Sequence, residues 1–171
     1  MKGYVQVYTG NGKGKSTAAF GLALRAVGAG RKVYIGQFVK GMEYSELAAF
    51  KRMEDAVTIR QFGRGCFING APAAEDVTAA EKGLREIKEA MRSGRYDVLI
   101  LDEANIATRY GLICVEDLLS LIAEKPEGME IVITGRDADP LIVEAADLVT
   151  EMKEIKHYYN KGVKARKGIE R

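Results

Sequence analysis

The densest chemistry in the chain lies near its start, in Thr9-Gly10-Asn11-Gly12-Lys13-Gly14-Lys15-Ser16-Thr17. Glycines let successive backbone N–H groups turn inward, and the start of a following helix adds partial positive charge. Lys15 can reach phosphate oxygens, and the Ser16 hydroxyl can ligate a divalent metal. The run departs from the usual G-x-x-x-x-G-K-[ST] spacing: Thr9 stands where the first glycine would be, and the glycine is Gly10. A shorter loop changes how a polyphosphate lies.

A second run, Tyr96 to Glu103, is an apolar strand ending in two carboxylates. Oxygen ligands at a strand end suit a hard cation such as Mg2+ (or Mn2+), so Asp102 and Glu103 join Ser16 as metal candidates. Thr134-Gly135-Arg136 ends a further core strand, which puts Arg136 on the same carboxyl edge, where ligands of α/β sheets bind. Arg136 could grip a terminal phosphate; the plainer alternative is an ion pair with Asp137 or Asp139.

These residues need elements to hold them. Strand-like runs recur at residues 4–8, 32–39, 56–62, 97–101, 130–134 and 148–152. Helical patterns fall between most of them. Residues 16–29 carry Ala, Phe and Leu at helical spacing, closed by Gly30. Residues 75–92 have Leu84, Ile87 and Met91 on one face, with Thr78 and Glu81 as a capping-box pair or else an earlier start. Residues 115–124 and 140–146 complete the set. Strand, helix, strand repeated this often requires crossover connections. The expected class is α/β, a single-domain P-loop (RecA-like) fold over residues 1–171, with a mostly parallel sheet flanked by helices.

Composition agrees. With 47% apolar and 29% charged residues the chain can build a core, and a net charge of +2 gives no general attraction to a polyanion. No apolar run approaches the roughly 20 residues of a bilayer span, and Met1-Lys2-Gly3 leads straight into a strand run, so a cytoplasmic protein without membrane or nucleic-acid partner is expected. Cys66 and Cys114 lack metal-site spacing and read as free thiols. Residues 62–72 are glycine-rich yet too apolar for a plain solvated loop, which suggests a surface packed on a ligand or on the domain itself.

In series, these residues resemble the P-loop-type cob(I)alamin or cob(I)yrinic acid a,c-diamide adenosyltransferases, the corrinoid adenosyltransferase family. The likeness runs from Thr9 to Ala26, through Gln37-Phe-Val-Lys-Gly41, Leu101-Asp-Glu103, Ile133-Thr-Gly-Arg136 and Ala146 to Glu151, to Lys156-His157, Gly162 to Ala165 and Gly168-Ile-Glu170. It implies transfer of the 5′-deoxyadenosyl group of ATP to the cobalt of a reduced corrinoid, with triphosphate leaving, in adenosylcobalamin biosynthesis or salvage. Cobalt(I) is a supernucleophile, so no general base is required, and the protein must orient C5′ and stabilise a departing polyanion. By resemblance ATP is held in a reversed sense: Gly10, Asn11, Gly12, Lys13, Gly14, Lys15, Ser16 and Thr17 contact triphosphate, and Ser16 and Glu103 ligate the metal. Asp102 supports it, and Arg136 binds phosphate. Lys15, Glu103 and Arg136 are then the catalytic set, with Phe67 carried over as a corrin contact. A homodimer and an electron-donating reductase or flavoprotein are the implied partners. Ser16 stands where threonine is usual, and the helical N-terminal extension of some members has no counterpart before the first strand run.

The sole histidine, His157, precedes Tyr158-Tyr159 and reads as packed or hydrogen-bonded rather than as a cobalt ligand. Residues 153–171 form a basic C-terminal segment with seven basic and two acidic side chains, a net +5 that leaves −3 elsewhere. Such a segment could order near the ATP or corrin face, stay solvated, or bind nucleic acid. Two competing functions follow: a P-loop ATPase or phosphotransferase, and a nucleotide-gated nucleic-acid-binding module.

Overall fold

Six short aliphatic runs pair side by side in one parallel sheet, seen in a computed structural model that describes residues 1–65 and 70–170. The strands are β1 (Val5–Thr9), β2 (Val33–Phe38), β3 (Val57–Phe62), β4 (Val98–Asp102), β5 (Glu130–Thr134) and β6 (Leu148–Glu151), in the spatial order β3-β2-β4-β5-β1-β6. Every neighbouring pair is parallel. Each strand must therefore return through a crossover, and the returning helices cover both faces. β2 and β4 are buried along their whole length, as continuous apolar strands of a doubly covered sheet should be.

Among the described residues six α-helices supply the layers: α1 (Lys15–Gly28), α2 (Ser45–Lys51), α3 (Ala74–Arg92), α4 (Ala104–Arg109), α5 (Val115–Ala123) and α6 (Pro140–Ala145). Behind one face Ala19, Ala23 and Ala26 of α1 and Phe50 of α2 meet Val33, Ile35, Val98, Ile100 and Val132. The small alanines let α1 lie close to the sheet. Behind the other face Leu84, Ile87 and Met91 of α3 and Leu118 and Leu121 of α5 meet Leu99, Leu101, Ile131 and Ile133. Each of these large side chains is worth about 1.5–3 kcal/mol when fully buried. The two clusters hold the sheet rigid, which fixes its carboxyl edge.

Element ends shift by a residue or so from the sequence reading, and two short helices, α2 and α4, were not foreseen. Both are short and lack a side-chain cap, whereas α6, no longer, is marked at its start by the Asp139 cap and Pro140. Of the two readings for the start of α3, a Thr78/Glu81 capping box or an earlier start, the earlier start holds. The helix starts earlier, at Ala74, where the Asp76 carboxylate accepts from the Ala73 N–H at 3.1 Å, and Thr78 Oγ1 donates back to the Ala74 carbonyl at 2.9 Å. Gly30 closes α1 as expected: at φ 77° it lets the Arg31 N–H reach back to the Ala26 carbonyl at 3.0 Å. No helix among the described residues is long and apolar enough to cross a membrane.

Candidate functional site

At the carboxyl edge, a cleft of about 740 Å³ opens between the loop after β1, residues 39–46 after β2, the start of α4, and the turn after β5. Gly14, the N-cap of α1, sits at φ 124°, a conformation that side-chain-bearing residues rarely adopt, and its turn aims the first N–H groups of the helix into this space. Lys15 is buried, with Nζ donating to the Gly10 and Gly12 carbonyls at 2.8 Å each. Burial pulls the Lys15 pKa below its ordinary value, and Glu103 opposes that shift. The ammonium is thus stored under the loop it would leave to meet an anion.

Asp102 ends β4 beneath the cleft and is completely buried. Its Oδ1 accepts from Thr134 Oγ1 at 2.7 Å, and its Oδ2 accepts from Lys40 Nζ at 2.7 Å and from Gln37 Nε2 at 3.2 Å. The Ser16 hydroxyl is a further donor. Burial alone would raise the carboxyl pKa, but the Lys40 charge and these hydrogen bonds hold it below the ordinary carboxylate range. Lys40 is affected in the mirror sense: burial would lower it, and Asp102 keeps it raised. Register explains the meeting, since Gln37 and Asp102 are paired positions of β2 and β4.

Glu103 follows at φ 59°, its N–H held by Thr134 Oγ1 at 3.0 Å, and its side chain lines the cleft. Burial, and after it the charge of Asp102, push the Glu103 carboxyl above its usual range. Asp102 is saturated and off the cleft wall, so it suits a supporting role. Ser16 and Glu103 line the wall and offer two hard oxygens. That set fits a Mg2+ ion that takes the rest of its shell from phosphate and water, and among the described residues no cluster of three or more His, Cys, Asp or Glu could hold a metal alone.

Arg136 is exposed and lines the cleft. The alternative partners are engaged elsewhere: Asp137 pairs with Arg109, and Asp139 caps α6 by accepting from the Leu141 N–H at 2.8 Å. Asn105, at the start of α4, donates to the Gly135 carbonyl at 3.2 Å and so ties the Arg136 turn to the Glu103 end.

The C-terminal segment forms the remaining wall. The Gly12 N–H donates to the Met152 carbonyl at 2.6 Å, Lys13 Nζ donates to the Ile169 carbonyl at 3.0 Å, and His157 and residues 168–170 line the cleft. His157 Nδ1 accepts from the Tyr159 N–H at 3.0 Å, capping the short 3-10 turn Tyr158–Lys161. Glu170 holds the segment together: it accepts from the Tyr158 hydroxyl and pairs with Arg166 at 3.0 Å, and the Arg166 guanidinium lies 5.1 Å from the centre of the Tyr158 ring.

Asn11, Gly12, Lys13, Gly14, Lys15, Ser16, Thr17, Glu103 and Arg136 thus share one cleft. Gly10 lies at its base, bonded to Lys15, and Asp102 lies one shell behind. Phe67 and Cys66 fall outside the described residues. Cys114 is an exposed free thiol, donating to Asp117. Sequence reasoning singled out neither Lys40, Gln37 nor Thr134 as site residues. A usable signal existed for two of them, since a polar residue at the carboxyl end of an otherwise buried strand run marks a side chain with a specific partner.

The sequence profile of one family, described as ATP:corrinoid adenosyltransferase BtuR/CobO/CobP, matches residues 1–171. A corrinoid adenosyltransferase of a Sinorhizobium species is 41% identical over 172 residues, spanning 99% of this chain and 80% of the relative. That of Pseudomonas aeruginosa is 38% identical over 170 residues, spanning 99% and 84%. The corrinoid adenosyltransferase CobA of Salmonella typhimurium is 34% identical over 172 residues, spanning 99% and 86%. Among solved structures, a KaiC-like protein from Pyrococcus horikoshii superposes with a TM-score of 0.58 over 88% of this chain and 73% of its own, at 20% identity, a likeness that bears on the fold alone.

Proposed function

We propose a mechanism from one premise: this chain belongs to the ATP:corrinoid adenosyltransferase family. Its reaction is transfer of the 5′-deoxyadenosyl group of ATP to the cobalt of a reduced corrinoid. The cobalt(I) electron pair forms the Co–C5′ bond, the C5′–O bond breaks, and its electrons leave on the triphosphate. The observation that carries the residue assignment is the convergence of Lys13, Lys15, Arg136 and the α1 N-terminus on the cleft that Glu103 lines.

The chain's work is to bind and orient. The loop from Gly10 to Thr17 takes the triphosphate through its N–H groups, and Lys15 exchanges the Gly10 and Gly12 carbonyls for phosphate oxygens. Arg136, with no carboxylate partner among the described residues, adds a second full charge where the leaving group gathers its own. Ser16 Oγ and Glu103 would hold Mg2+ or Mn2+, and such an ion supplies charge neutralisation to the departing triphosphate. Asp102 accepts a hydrogen bond from the Ser16 hydroxyl and so turns the Ser16 lone pairs outward. No proton need move, because the nucleophile is the metal of the substrate.

We assign Phe67, in the glycine-rich segment after β3, to the corrin side of the site. The reading also includes a homodimer, a cytoplasmic setting, and an electron-donating reductase or flavoprotein that delivers cobalt(I). The decisive experiment is product analysis with ATP, Mg2+ and chemically reduced cobalamin. Triphosphate formed in step with the Co–C spectral change supports transfer by this site; ADP and phosphate formed without corrinoid would overturn it in favour of an ATPase.

A further inference from the structure

The transfer mechanism leaves Lys40 unused. Its Nζ lies 2.7 Å from Asp102 Oδ2 and 3.8 Å from Glu46 Oε1 of α2, and 5.1 and 5.8 Å from the ring centres of Tyr44 and Phe20. Its side chain is only 14% exposed, so solvent and salt screen the charge weakly. The backbone is built to put it there. Val39, directly before it, is a β-branched residue at φ 59°, a costly conformation that surrounding structure must enforce. The enforcement is visible at Gly63, which leaves β3 so close to this turn that a Cβ there would stand 2.6 Å from the Lys40 N and 2.7 Å from the Val39 carbonyl carbon.

Hydrogen bonding does not explain the lysine. Asp102 already accepts from Thr134, Gln37 and Ser16, all neutral donors. What Lys40 adds is a full positive charge in contact with Asp102 at 2.7 Å, whereas Lys15, the other buried cation near the two carboxylates, is held by the Gly10 and Gly12 carbonyls. Without Lys40, the charges of Asp102 and Glu103 beside Ser16 would be opposed by Lys15 and Arg136, neither within ion-pair distance, and would draw a divalent cation more strongly. With it, Asp102 is neutralised by direct contact, and Glu103 is left to face the cleft with Lys15 and Arg136.

We propose that Lys40 makes the metal subsite conditional on nucleotide: by cancelling the charge of Asp102, it leaves a site that holds a divalent cation only together with the triphosphate. The ion then arrives with ATP and departs with the product, instead of staying behind and gripping the released triphosphate. This rests on the metal assignment above, at Ser16 and Glu103.

The test is Mn2+ binding to the purified full chain, followed by electron paramagnetic resonance with and without ATP and with no corrinoid present. The parent should take up Mn2+ beyond what ATP itself holds in solution only when ATP is there. Lys40→Gln, which keeps a donor to Asp102 and loses the charge, should bind Mn2+ alone at least about tenfold more tightly than the parent. Lys40→Arg, which keeps the charge, should match the parent. Lys40→Gln affinity for Mn2+ alone within about twofold of the parent would overturn the proposal. So would a parent that binds Mn2+ equally well with and without ATP, a result that needs no variant to fold. If the parent takes up no Mn2+ even with ATP, the metal assignment itself fails and the role of Lys40 falls with it.

Discussion

Thr134→Val tests the polar hub directly, because valine keeps the shape of threonine and removes only its hydroxyl. That hydroxyl is fully buried and does two jobs: it donates to Asp102 Oδ1 at 2.7 Å and accepts from the Glu103 N–H at 3.0 Å. A hydrogen bond to a charged group is worth about 1.5–3 kcal/mol, and leaving the Glu103 N–H unpaired costs about 1–3 kcal/mol more. The extra apolar burial of valine offsets part of this, leaving a net loss of about 2–4 kcal/mol. For a chain of this length that is a fall in Tm of about 10 °C. Urea unfolding with m held constant, together with calorimetric melting, gives both figures. Thr134→Ser keeps the hydroxyl and gives up one methyl, about 1 kcal/mol. The Asp102 carboxyl titrates below its ordinary 3.8 in the fold, so its stabilisation is present above 3.8 and is lost as pH falls through the folded value. The gap between parent and Thr134→Val should therefore be widest near neutrality and close in acid. A Thr134→Val protein within about 1 kcal/mol of the parent, or no worse than Thr134→Ser, would show that the hub does not act as one unit.

Lys15→Ala should lose most ATP binding by calorimetry and all detectable transfer, since it removes a charge-assisted contact to a buried polyphosphate; parent-like MgATP affinity would refute the cradle assignment. Glu103→Gln should slow transfer strongly at limiting Mg2+ with ATP affinity within about tenfold of the parent, and added Mn2+ should restore part of the rate. The same variant should melt above the parent at pH 7: the Glu103 carboxyl is raised in the fold, so its charge opposes folding above the raised value, and that opposition is gone below 4.5, where the two melting curves should meet. A lower melting temperature at pH 7 would remove the repulsion from the account. Glu170→Gln should speed tryptic cleavage between Lys161 and Lys167 by about tenfold with Tm unchanged, because Glu170 ties Tyr158 and Arg166 together; an unchanged rate would show that the segment holds without it. The Glu170 carboxyl is held down to about 2, so this tie is present above 4.5 and is lost only as pH falls through about 2.

The parallel sheet was legible because its signals are local: aliphatic runs of five or six residues separated by helical periods leave one economical topology. The place of the glycine-rich loop, between β1 and α1 at the mouth of the cleft, was legible because glycine, lysine and serine at that spacing are read as a strand-to-helix turn. The hub around Asp102 was not, because it is a product of register. Gln37, Lys40, Thr134 and Asp102 come from three strands and one turn, and nothing in the sequence says that β2 and β5 both flank β4. The wall made by residues 152–170 escaped for a related reason. A basic, glycine-containing segment reads alike whether solvated or seated, and the contacts that seat it are mostly carbonyl oxygens, which every residue carries.

That wall sets the order in which the protein can come into being. Lys13 and Ile169 are separated by 156 positions, and β1, which leads into the glycine-rich loop, pairs among the described residues with β5 and β6 alone. At about 5–20 residues per second of synthesis, the cradle waits roughly 10–30 s for its second side. Until residue 130 emerges, β1 has no strand to join, and its loop is a glycine-rich coil with no fixed N–H array to offer an anion. ATP therefore cannot template the nascent chain. It can act only by mass action on a site whose second wall closes once residue 169 has been made.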